Sequence, residues 1–166
     1  CKDSYHHMPR PMIALYQMLR VARRAVVLIE PQDPWADAPL MPGPSVSGYE
    51  SVGNYVFTVS RRELEKVALG LDLPAVAFKG LFDHCPPEIE KIKVSPTDPR
   101  FNAYMRALYS GEDACRENRQ KHNILFAILF KTTPDQALID SIVSNPEGWH
   151  MSFFQGNPHK KKFETS

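Results

Sequence analysis

Apolar residues recur with a helical period near the start of the chain. Met12, Leu15, Tyr16, Leu19 and Ala22 fall on one stripe, a spacing that predicts an amphipathic helix. Pro11 suits the first helical position, where its missing N–H needs no partner. Arg20, Arg23 and Arg24 crowd the last turn, where cations meet the negative end of the helix dipole. Ala25 to Ile29 follow as an unbroken apolar run without alternation. Such a run predicts a strand covered on both faces, as in a parallel sheet. Glu30-Pro31 ends it at the edge where α/β proteins place ligands.

Further along, residues 31–48 read as a loop rich in Pro, Gly, Ser and Asp. Tyr49 to Val59 is aromatic and β-branched but broken by Gly53 and Asn54, which predicts a substrate-facing loop or short helix. Ser60-Arg61-Arg62-Glu63 is a capping box and opens a helix with Leu64, Val67, Ala68 and Leu71 on its buried face. Gly70 and Pro74 stop it. Ala75 to Phe78 reads as a strand, residues 83–98 as a surface loop, and Phe101, Met105 and Leu108 as a short helix within an insertion. Residues 123–131 (NILFAILFK) form the strongest strand pattern: long, apolar and free of Gly and Pro. Thr133-Pro134-Asp135-Gln136 caps a last helix with Leu138, Ile139, Ile142 and Val143 inward, and Trp149, Phe153 and Phe154 pack a tail over the sheet.

Composition narrows the classes. The 166 residues are 43% hydrophobic and 23% charged, as in one ordinary globular domain. A net charge of +1 points away from a nucleic-acid partner, and Lys160 to Lys162 read as a solvated tail. Cys1, Cys85 and Cys115 are odd in number and without a Cys-x-x-Cys pair, so a reducing, cytoplasmic setting is expected rather than a disulfide framework. No apolar run approaches the ~20 residues of a membrane span, so no membrane partner is expected. His6, His7, His84 and His122 match no metal-ligand spacing, and no metal is expected.

Taken together, Lys2-Asp3-Ser4-Tyr5-His6-His7-Met8, then Leu19-Arg20-Val21-Ala22-Arg23, then Val27-Leu28-Ile29-Glu30-Pro31 resemble the class I S-adenosylmethionine-dependent methyltransferases of the type 11/12 kind. In that family a polar segment, often with His, leaves the fourth strand, the next helix ends in an Arg-Val pair, and the fifth strand ends in an acidic residue. Ser60 to Leu73 resembles the following helix; Ala75 to Gly80 and Asn123 to Lys131 resemble the last two strands. The resemblance implies an α/β fold: the second half of a Rossmann-like domain, a mostly parallel sheet with a final antiparallel strand, and helices on the sheet. It spans residues 1–131, with an insertion at about 82–122 that is a substrate lid or decoration; residues 132–166 are a C-terminal helix and tail on the same domain. The Gly-rich loop and ribose-binding acid of the first half have no counterpart, so the chain is expected to be a fragment that does not bind S-adenosylmethionine measurably by itself.

The resemblance implies a cofactor, S-adenosylmethionine, and a small-molecule or peptide acceptor. Lys2, Asp3, Ser4 and Tyr5 would line the methionine part of the cofactor, Asp3 accepting from its ammonium and Tyr5 facing the sulfonium as a cation–π partner. His6 or His7 would act as base or orient the acceptor. Glu30, Tyr49, Asn54 and Tyr55 would contact the acceptor. Each has a plainer reading: Asp3 and Ser4 as turn caps, the histidines as a solvated pair, Glu30 ion-paired with Arg61 or Arg62, the aromatics as loop packing. The rival functions are a non-catalytic methyltransferase-like module that binds a partner, or dimerises through the face left by the absent strands, and a nucleotide-dependent oxidoreductase.

Overall fold

The computed structural model describes residues 1–33, 49, 55–84, 94–144 and 148–158. The described elements are a short 3₁₀ turn (Tyr5–His7), α1 (Pro11–Val21), β1 (Ala25–Pro31), α2 (Arg61–Gly70), β2 (Ala75–Leu81), α3 (Pro99–Arg116), β3 (Ile124–Phe130), α4 (Gln136–Val143) and β4 (His150–Phe153). The fold is α/β, with the strands in the order β1-β3-β2-β4.

Every pairing between these strands is antiparallel, which corrects the expectation of a mostly parallel sheet. The physical reason is the place of β3. This strand, apolar on both faces, inserts between β1 and β2 and runs against both, as the final strand was expected to run. Because β3 opposes both, β1 and β2 point the same way, and their carboxyl ends share one edge. Among the described residues, parallel contacts are confined to two isolated bridges at that edge, Lys2 with Ile29 and Gln32 with Val59.

Alternation sends successive side chains to opposite faces. Register places Val26, Leu129 and Val76 in one cross-strand row and Leu28, Ala127 and Phe78 in the next. All six are buried in the main core with Leu15 and Leu19 of α1, Leu64, Val67 and Ala68 of α2, and Tyr5. The opposite face is a smaller core, in which Ala75, Ala77 and Phe130 meet Ile142 of α4 and Trp149. The Trp149 and Phe126 rings pack edge-on, 4.9 Å apart.

The helices obey their local signals. Ser60 accepts from the Glu63 N–H while the Glu63 carboxylate accepts from the Ser60 N–H, a complete capping box. Asp98 caps α3 through the Arg100 N–H, with Pro99 at the first helical position, and Asp135 caps α4 through the Leu138 N–H. The helix expected to be short within the insertion runs instead for 18 residues.

Several expected inward residues lie outside. Tyr16, Leu71, Leu138 and Val143 are exposed: Tyr16 sits beside the stripe made by Leu15 and Leu19, Leu71 is already the C-cap of α2, and only Ile142 of α4 is buried. The tail does more than pack. His150–Phe153 forms β4 and pairs with β2, a fourth strand drawn from the segment after residue 131. No described helix is long and apolar enough to cross a membrane.

Candidate functional site

The polar segment before α1 is held against the carboxyl end of β1. The Ile29 N–H donates to Cys1 O at 3.0 Å and the Asp3 N–H donates to Ile29 O at 3.1 Å. Asp3 takes a positive φ of 47°, a conformation Asp tolerates better than bulky residues. The chain thereby turns, and the Ser4 hydroxyl closes the bend on Lys2 O at 2.9 Å.

Beneath that turn lies Glu30, fully buried. A buried carboxylate needs donors to replace water, and the turn supplies three. Oε1 accepts from the Ser4 and Tyr5 N–H groups at 3.2 and 3.1 Å, and Oε2 lies 2.7 Å from His6 Nδ1. A carboxylate oxygen accepts, so Nδ1 carries the hydrogen; in the neutral imidazole Nε2 is then the nitrogen with the lone pair. Nε2 makes no hydrogen bond among the described residues. The His7 ring, on an exposed residue, stands 4.1 Å from that of His6. Glu30 is therefore enclosed by this turn and pairs with neither Arg61 nor Arg62; its partner is His6.

Tyr5 is 2% exposed and its hydroxyl donates to Met12 Sδ at 3.2 Å. Burial, then the charges of Glu63 and Glu30, push its phenol up to about 12. Its ring is core packing, with no open face for a sulfonium. Lys2 and Asp3 are exposed and paired at 3.4 Å. Of the four expected cofactor contacts, Asp3 and Lys2 thus present their charges outward, whereas Ser4 and Tyr5 shape the turn through their N–H groups.

Two of the expected acceptor contacts reach the same loop indirectly. Tyr49 and Tyr55 bridge antiparallel, with rings 5.4 Å apart, and Tyr55 stacks edge-on with Phe57 at 4.9 Å. The Phe57 N–H donates to His6 O at 3.2 Å, tying this aromatic ladder to the histidine backbone. Asn54 lies outside the described residues, as do Cys85 and Lys160 to Lys162. Two buried polar atoms at the same end, Gln32 Oε1 and Arg61 Nε, have no hydrogen-bond partner among the described residues.

Lys2 and Asp3 also line a cleft of about 480 Å³ between the carboxyl ends of β1 and β2 and helix α3. Its wall includes Lys79, Leu81, Asp83, Tyr109 and Glu112, none of which stood out in the sequence. The available signal was the length of the insertion together with Asp98-Pro99, a cap followed by a first-turn proline. Among the described residues no group of three His, Cys, Asp or Glu side chains is arranged to hold a metal ion.

No family model, no curated protein and no solved structure matches the chain.

Proposed function

We propose that this chain carries the acceptor side of an S-adenosylmethionine-dependent methyltransferase acting on a small molecule or peptide. The observation that carries the reading is the His6–Glu30 pair at the carboxyl end of β1, within the segment whose residues resemble that family. An antiparallel last strand and a polar segment lying parallel beside β1 at Lys2 and Ile29 agree with it. The finer fold implied, half of a Rossmann-like sheet, belongs to the same proposal: β1 and β2 point one way, and further strands parallel to β1 would join at its outer edge.

Methyl transfer asks for alignment and, for a protonated acceptor, removal of a proton. S-adenosylmethionine, when bound, supplies an electrophilic methyl carbon. The residues present fit it in part: Asp3 has an outward carboxylate for an ammonium and Lys2 an ammonium for a carboxylate, while Tyr5 is spent on the core. His6 Nε2 takes the acceptor's proton, and Glu30 holds the ring in the tautomer that leaves this nitrogen basic and stabilises the imidazolium that results. Glu30 is accordingly a positioning residue rather than a substrate contact.

The test is calorimetric titration of S-adenosylmethionine into the protein expressed from its complete coding sequence. Saturable binding that Asp3→Ala weakens about tenfold supports the reading; heat of dilution alone overturns it.

A second reading has its own observation. Among the described residues, the outer edge of β1 is covered only by residues 1–3, and Val27 on that strand is 40% exposed. A partly open edge beside an exposed apolar side chain is a template for another strand, which a non-catalytic partner-binding module would use. Light scattering after gel filtration separates a monomer from a dimer closed over this edge.

A further inference from the structure

We propose that the cleft between α3 and the carboxyl ends of β1 and β2 binds a small amphipathic amine: an apolar body ending in an ammonium group. That this amine is the methyl acceptor rests on the reading above; that the cleft binds it does not.

Three observations lead there. The first is size and floor. About 480 Å³ is the volume of an ordinary small-molecule site. Ile29, Leu81, Ile124, Met105 and Leu108 give it an apolar floor, which contributes affinity in proportion to the apolar area covered.

The second is that the wall is built rather than incidental. Glu112 Oε2 accepts the Phe82 N–H at 2.7 Å, and Oε1 lies 3.5 Å from His122 Nε2. The His122 ring in turn rests on Gly80, where a β-carbon would come within 2.5 Å of Nδ1. The Phe82 ring lies on Gly111 of α3, where a β-carbon would meet it at 2.1 Å. Two glycines thus let two rings clamp α3 to the end of β2.

The third is the charge left over. Lys2 pairs with Asp3, Arg116 with Asp113 at 3.6 Å, Lys79 is engaged, and Glu112 is taken by Phe82 and His122. Asp83 differs. Its N–H donates to Asn123 Oδ1 at 2.9 Å and its C=O accepts from Asn123 Nδ2 at 2.5 Å. The backbone is pinned on both sides, yet the carboxylate has no hydrogen bond or ion pair among the described residues. Asp83 is exposed, and an uncommitted anion on a pinned backbone beside an apolar floor selects a cationic head. Tyr109, 64% exposed on the wall, supplies an aromatic face for the same charge.

The experiment is a fluorescence titration of the full chain with dansylcadaverine, an aromatic body on an alkyl ammonium, against dansyl-aminohexanoate, a similar body ending in a carboxylate. No methyl donor is present, so the outcome is independent of the donor titration above. The expected result is a saturable blue shift with the amine, binding at least about tenfold weaker with the carboxylate, and a loss of about tenfold in Asp83→Asn. Tyr109→Ala, an exposed position, weakens binding without unfolding the chain. Equal binding of the two probes, or an amine affinity unchanged in Asp83→Asn, overturns the proposal. Amine binding here with no donor binding in the complete protein would leave the cleft standing and sink the methyltransferase reading.

Discussion

Glu30 Oε2 lies 2.7 Å from His6 Nδ1, across 24 residues of chain, and both side chains are out of solvent: 0% and 9% exposed. One carboxylate thereby serves two purposes. It closes the N-terminal end of a 3₁₀ turn by accepting two backbone N–H groups, and it sets the orientation of an imidazole. Replacing Glu30 by Ala strands two donors in the interior, the Tyr5 N–H and His6 Nδ1, frees the part-buried Ser4 N–H, and is expected to cost roughly 3 kcal/mol, the scale of a broken buried pair. Chemical denaturation measures it. Glu30→Gln keeps the volume but can donate to Nδ1 as well as accept. Heteronuclear NMR of the imidazole is then expected to show a tautomer mixture in place of the single Nδ1–H form.

The core beneath the site depends on α2. Leu64 is fully buried against the strands, and Leu64→Ala is expected to destabilise the fold by about 2–5 kcal/mol. Ser60→Ala removes one half of the capping box and costs about 1 kcal/mol. The ratio between the two, read from urea midpoints at constant slope, checks that packing outweighs capping in this helix.

Two groups give opposite pH dependences. Asp98 accepts from the Arg100 side chain and backbone, which hold its carboxyl down at about 2, below the ordinary 3.8. Its contribution is present above pH 3.8 and is lost as pH falls from there toward 2. Amide exchange in the first turn of α3 is expected to quicken over that window, and Asp98→Asn should show no such step. Tyr5 behaves in the other sense. Its phenol is raised from 10.0 to about 12, so its contribution is present below pH 10 and is lost as pH rises from 10 to 12. Absorbance titration of the tyrosinate band should show one late ionisation that Tyr5→Phe removes.

Cys1 is exposed and Cys115 is buried. Burial pushes the Cys115 thiol up, with a hydrogen bond to Gln120 acting against that shift, and the thiolate is the reactive form. Alkylation at mildly alkaline pH, mapped by mass spectrometry, is expected to label Cys1 at least tenfold faster than Cys115, because burial both shields the Cys115 sulfur and disfavours its thiolate. Equal rates would show that the end of α3 opens readily.

Local physics was readable in order along the chain. The capping box at Ser60 needs only residues three apart, the α1 stripe of Leu15 and Leu19 only a helical period, and the strand at Ile124–Phe130 only an unbroken apolar run. Each element is decided by neighbours in sequence, so each was visible there. His6, Asp3 and Glu30 stood out as chemistry-bearing residues at an element boundary. Their pairing did not, because Glu30 had Arg61 and Arg62 as equally charged alternatives.

Tertiary structure decided the rest. An apolar run like ILFAILF carries no record of its partners, so its insertion between β1 and β2 and the antiparallel sheet that results had to come from packing. His150–Phe153 is too short and too polar to announce a strand, and it becomes one only because β2 offers an open edge. Gly80 and Gly111 matter solely because His122 and Phe82 arrive from elsewhere to occupy the space above them. The segment Lys2 to His7 was marked by its own residues as polar and potentially reactive. That one of its histidines is buried on a carboxylate, while its lysine and aspartate open onto the α3 cleft, follows from contacts between residues distant in sequence, whose register local propensity does not encode.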